Sequence, residues 1–135
     1  MIISIKENHL FEKCYRKGKR WSGKYITVYI LPDYRAEKFR KMMPDKKRVN
    51  RTGLTVTKRV GGAVVRSRVR RILREAVRLY MKNAGTNLKT GFLVVIAAKD
   101  TSASAKMQDV YAELERAYFK LSMVRGAQSG EQKQI

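Results

Sequence analysis

The chain has 135 residues, 44% of them hydrophobic, which is enough for one ordinary core and leaves little room for a second domain. Its 31 Lys and Arg against 11 Asp and Glu leave a formal charge of +20, a self-repelling surplus that calls for a polyanionic partner, nucleic acid before acidic lipid. Cys14 is the only cysteine and His9 the only histidine, which excludes an internal disulfide and a Cys/His zinc cluster. No run approaches the roughly 20 apolar residues of a membrane span.

The opening MIISIKENHLFEKC lacks the charged start and apolar run of a signal peptide, so a soluble, cytoplasmic protein is expected. Ser4-Ile5-Lys6-Glu7 has capping-box form, and Asn8 is an equally good N-cap. Leu10, Phe11, Cys14 and Tyr15 then recur at helical spacing, predicting a short first helix through Lys17 that stops at Gly18. Lys19 to Trp21 is a candidate short strand. Residues 25–31, YITVYIL, are β-branched and aromatic and end at Pro32, predicting a strand with Tyr25, Thr27 and Tyr29 on one face.

The stretch 33–50, DYRAEKFRKMMPDKKRVN, is charged and aperiodic and reads as an exposed basic loop. Residues 52–57 alternate like a second strand, and residues 91–98 form the apolar run of a buried central strand. Between them a long helix is expected from Ala63 to about Lys82, entered from Gly61-Gly62 and left through Asn83-Ala84-Gly85. A last helix is expected from near Ser104, with Met107, Val110, Leu114, Tyr118 and Leu121 on one face, before a flexible polar tail over 125–135. There is no internal repeat. The order predicts a single α+β domain over residues 1–124, an α/β sandwich with a small, mostly antiparallel sheet covered by helices.

The long helix carries the functional signal. At about 100° per residue, Val65, Val69, Ile72, Leu73, Ala76, Val77, Leu79 and Tyr80 fall on one side. Arg70, Arg71, Arg74 and Arg78 lie opposite with Ser67 and Glu75, while Arg66 and Arg68 flank the apolar stripe. A solvated helix ordinarily mixes signs to gain i,i+4 pairs. This one sets only Glu75 against its arginines, so phosphate contact explains the face better than solvation does. Arginine suits that role because its planar guanidinium grips phosphate through two parallel hydrogen bonds. Lys58 and Arg59 precede two glycines that either let helix-start amides approach a phosphate or simply make a tight turn.

Phe11 and Tyr15 are four apart on one helix face, and Tyr29 projects from the strand that follows. The three either belong to the core, the commoner use of such spacing, or line a groove. Lys17, Lys19, Arg20 and Lys24 surround them in sequence, the cations a groove for single-stranded RNA needs beside stacking rings.

The run GLTVTKRVGGAVVRSRVRRILREAVR, residues 53–78, resembles the signature of the bacterial ribonuclease P protein family, in which a strand and basic turn lead into an arginine-rich helix. The flanking order of elements agrees over roughly residues 5–123. The resemblance implies a β-α-β crossover of left-handed sense around the arginine helix, against the general rule. It implies that Arg66, Arg68, Arg70 and Arg71, with Lys58 and Arg59 nearby, contact a catalytic RNA. It further implies that Phe11, Tyr15 and Tyr29 line a cleft for the 5′ leader of precursor tRNA. Ser67 stands where the family usually has its central Asn, Gly62 where another Asn precedes Ala-Val, and Ala98 where a basic residue is common.

The resemblance also implies that the RNA performs magnesium-dependent endonucleolytic hydrolysis, with Mg2+ held mainly by the RNA and no organic cofactor. The residues themselves offer no nucleophile with a recognisable base, so no protein catalytic residue is expected. Two alternatives have the same charge: a non-enzymatic RNA-binding protein of ribosomal type, and a DNA-binding or membrane-surface protein using the basic helix. No second helix sits three or four residues away to make a helix-turn-helix, and a strand directly precedes the helix. Neither DNA nor a membrane is therefore the expected partner.

Overall fold

The computed structural model describes residues 3–34 and 50–125. In chain order these form β1 (Ile3–Ser4), α1 (Asn8–Lys17), β2 (Lys19–Ser22), β3 (Ile26–Pro32), β4 (Arg51–Thr55), α2 (Ala63–Ala84), β5 (Phe92–Ala98) and α3 (Met107–Lys120). Short 3-10 turns cover Lys58–Val60, Gly85–Asn87 and Asp100–Ser104. The strands make one five-stranded sheet in the order β1-β4-β5-β3-β2. It is mixed: β2–β3 and β3–β5 are antiparallel, β1–β4 and β4–β5 parallel, and the longest ladder, β3–β5, is antiparallel. The expected α+β sandwich is therefore present, and β4-α2-β5 is its β-α-β crossover.

The apolar character of β5 follows from its place, because both of its faces are covered. Val94 and Ile96 join Ile26, Val28 and Ile30 in the larger core under α2 and α3. Leu93 and Val95 turn the other way with Ile5, Cys14 and Leu31 under α1. Strand β3 sends Tyr29 to the α1 side. Tyr25, predicted to share that face with Thr27 and Tyr29, instead precedes the strand and packs against the larger core. The hairpin turn reverses its direction before the pleat begins.

Several boundaries differ from expectation for tertiary reasons. Ser4 caps no helix, since Ile3–Ser4 pairs with Arg51 and Thr52 at the start of β4, too short a strand for its sequence to announce. Neither Ser4 nor Asn8 caps α1. Glu7 holds the N-cap position without a side-chain cap, and its carboxylate accepts from Arg51 Nη1 at 3.2 Å. Arg51 also grips buried Asp33 through Nε and Nη2 at 2.8 and 3.1 Å, tying β4, the end of β3 and α1 together. The hydrogen bond to Asp33 raises the Arg51 pKa further, so the guanidinium stays charged throughout.

Asp33 and Asn50, the two ends of the predicted exposed loop, are thus buried. The Asn50 amide donates to Lys89 O at 2.8 Å and accepts from Phe92 N at 2.9 Å. Residues 35–49 of that loop and 126–135 of the predicted tail lie outside the described residues. The last helix starts at Met107, because Ser104 ends a 3-10 turn and Ala105 and Lys106 are extended before the helix begins.

Candidate nucleic-acid interface

Helix α2 lays its apolar stripe on the sheet as its period predicts. Val69, Leu73, Ala76, Val77 and Tyr80 are buried, Val65 and Ile72 are half-buried, and only Leu79 of the predicted stripe is exposed. Ser67, Arg70, Arg71, Arg74, Glu75 and Arg78 all face solvent, so the polar side is where it was expected. Arg78 Nη2 donates to both oxygens of Glu75 at 2.8 Å, an exposed pair that matches only one of the four cations on this face. Arg70 approaches Val56 O at 3.5 Å, too far to hold it.

The two flanking arginines behave differently from that face. Arg68 donates from Nη1 and Nη2 to the carbonyls of Ala103 and Ala105, at 2.8 and 3.1 Å, and so pins the turn that leads into α3. Arg66 is half-buried, and its Nε is buried without a hydrogen-bond partner among the described residues. Lys58 and Arg59 are exposed on the 3-10 turn before the helix. Gly61 there has φ +154°, and a Cβ would crowd Val65 at 3.0 Å, so this glycine is required by the turn. Gly62 has open space around its Cβ position, and a longer side chain would fit there.

On the opposite face of the sheet the three aromatics come together only in part. Tyr15 and Tyr29 form an edge-to-face pair with centroids 4.9 Å apart and planes at 74°, an arrangement worth about 0.5–1.5 kcal/mol. Tyr15 is 41% exposed, and its hydroxyl shares a 3.1 Å hydrogen bond with Thr55 Oγ1. Phe11 packs one turn earlier against Gly53, where any Cβ would lie 2.5 Å from the ring. Phe11 and Tyr29 pack on the smaller core, while Tyr15 presents a large surface to solvent. Lys17, Lys19, Arg20 and Lys24 are exposed on the segment that follows α1 and runs through the β2–β3 turn.

Phe11 also lines an open cleft of about 630 Å³ with Ser4, Ile5, Thr52–Leu54, Arg70, Arg74, Glu75 and Arg78. Sequence reasoning missed this cleft, together with Thr55 and Gly53, because nothing local announces the packing of α1 on β4. It also missed Glu113, although an acid set among Val110, Leu114, Ala117 and Tyr118 on the apolar face of α3 was a readable signal. Glu113 is buried and accepts from the backbone amides of Lys24, Tyr25 and Ile26 at 2.9–3.1 Å, clamping the β2–β3 turn. Among the described residues no three His, Cys, Asp or Glu converge as a metal site, and no helix is long and apolar enough to cross a membrane.

The family profile described as Ribonuclease P matches residues 3–122 of the chain. The chain belongs to the ribonuclease P protein family. Among curated relatives, the ribonuclease P protein component of Clostridioides difficile is 34% identical over 78% of this chain and 80% of its own length. That of Clostridium acetobutylicum is 32% identical over 89% of both. The fold agrees as well: the Staphylococcus aureus RNase P protein superposes with a TM-score of 0.68 at 18% identity, covering 93% of this chain and all of that one. The Thermotoga maritima protein gives 0.60 at 16%, over 82% and 90%. As a ribonuclease P protein this chain is a subunit of an endoribonuclease of tRNA processing.

Proposed function

We propose that the chain binds the catalytic RNA of ribonuclease P through the Arg66 to Arg71 half of α2 and the basic turn before it, and receives the 5′ leader of precursor tRNA beside α1. The observation that carries this reading is the single sign of the α2 face, where Arg70, Arg71, Arg74 and Arg78 stand exposed against Glu75 alone. Like charges at this density are relieved when phosphates lie against them. Arg66, Lys58 and Arg59 extend the face towards the helix start, and Ser67 offers a hydroxyl in place of the family's amide. Arg68 contributes by fixing the turn before α3. Tyr15 and Tyr29, with Phe11 behind them, supply stacking surface for an unpaired leader.

In this reading the RNA subunit performs the magnesium-dependent hydrolysis. The protein's share is binding: cations lower the repulsion between two RNAs, and rings capture the leader. Full-length protein added to a ribonuclease P RNA transcript should restore precursor cleavage at low magnesium, and Tyr15→Ala should weaken leader-bearing precursor more than mature tRNA. Equal weakening of both ligands, with a lowered melting temperature, would assign these aromatics to the core alone.

A further inference from the structure

The cleft that Phe11 shares with α2 lies where the sheet edge is interrupted. Strand β1 pairs only with Arg51 and Thr52, so the outer side of Gly53–Thr55 has no partner strand among the described residues. Through this gap the α1 face, with its tyrosines, communicates with the α2 face, with its arginines. Gly53 makes the junction: lacking a Cβ, it lets the Phe11 ring lie directly on β4, between Thr55 with its bonded Tyr15 on one side and the cleft on the other. Arg66, Arg70, Arg74 and Arg78 are four apart and form one ridge along α2, and its last three members line the cleft, spaced about 6 Å along the axis. The floor is mixed, with Ile5 and Leu54 apolar and Ser4 and Thr52 polar, which suits a base and its sugar.

We infer that the leader strand does not end at the tyrosines but continues past Phe11, across the interrupted edge of β4, so that Arg74 and Arg78 hold leader phosphates rather than the RNA subunit. The inference rests on the leader-binding reading above. Continuity of the surface through Phe11 and its charge favour one strand over two separate RNAs. Glu75 is the gate: its carboxylate covers Arg78 in the free protein and must be displaced by a phosphate. Both side chains are more than half exposed, so the displacement is easy and the fold does not depend on the pair.

The test uses the full chain assembled with ribonuclease P RNA and precursor tRNAs whose leaders are lengthened one nucleotide at a time. With Arg74→Ala or Arg78→Ala, the loss of precursor affinity should grow with leader length and reach about ten-fold for each arginine removed, the scale of a charge-assisted hydrogen bond. Arg78→Lys should recover part of it, and Glu75→Gln should tighten long-leader precursor while steepening its salt dependence. Affinity for the RNA subunit and the melting temperature serve as controls. A penalty equal at every leader length, or one that emerges instead in RNA-subunit affinity, overturns the inference while leaving the leader cleft standing. Insensitivity of all precursors to Tyr15→Ala and Tyr29→Ala would remove the leader-binding reading itself, and the inference with it.

Discussion

Single buried groups decide how firmly the site is held. Glu113 accepts hydrogen bonds from three consecutive amides, so its removal strands one buried and two part-buried donors at the turn from which β3, and with it Tyr29, emerges. Each such orphan costs about 1–3 kcal/mol. Glu113→Ala should therefore lower unfolding stability by about 3 kcal/mol in urea titration, and Glu113→Gln by less, because one acceptor oxygen remains. A second buried group, Cys14, lies on the α1 side of the sheet. Burial, aided by the negative charge of Asp33 and opposed by Lys13, pushes its thiol from 9.0 up to about 11. The raised native value means that the unfolded chain ionises first as pH climbs. Stability attributable to this group is full below about pH 9 and is lost between pH 9 and 11. Cys14→Ala should flatten the alkaline side of a stability-versus-pH curve over that window, and an unaltered curve would show that the thiol is not what titrates.

At the scale of elements, α2 separates two functions by helical period. Its apolar stripe holds the sheet, and Arg70, Arg71, Arg74 and Arg78 lie exposed on the side away from it. Replacing Arg70 and Arg71 together by Ala should leave the melting temperature within a few degrees while flattening the salt dependence of RNA-subunit binding. Every phosphate that an arginine neutralises adds about 0.7 to 0.9 to the log-log slope, and the double variant forgoes that amount at each site where an arginine meets RNA. An unchanged slope would mean that the face is merely solvated. Arg68 should behave otherwise: with both outer nitrogens on Ala103 and Ala105, its replacement should register first as destabilisation of the turn before α3.

For the whole molecule, the sheet is a partition. One core lies beneath α2 and α3 and a smaller one beneath α1, and the arginine and tyrosine surfaces stand back to back across it. They meet at the short β1 edge, where the strand order leaves β4 open. A surplus of +20 makes the free protein self-repelling, so assembly with RNA should stabilise it by mass action. RNA-free, nuclease-treated protein should not cleave precursor at any magnesium concentration. Cleavage that tracked substitutions in this chain would overturn the division of labour between protein and RNA.

The sequence by itself determined, within a few residues, every strand and α-helix of four residues or more among the described residues, the division of α2 into apolar stripe and arginine face, the sign of the partner and the family. These depend on periodicity and charge, which are properties of neighbouring residues. Only the tertiary structure decided what distant residues do for one another. Asp33 and Asn50 read as loop because they are polar, yet Arg51, Lys89 and Phe92 give them partners and bury them. Arg68 read as one more RNA-binding cation, and two carbonyls from the turn before α3 occupy its donors. The pair Ile3–Ser4 is too short to show a period, yet where it stops pairing opens the cleft beside Gly53. Such pairings join residues dozens of positions apart, and no local pattern encodes them, because the chain brings them together only when both faces of the sheet are packed.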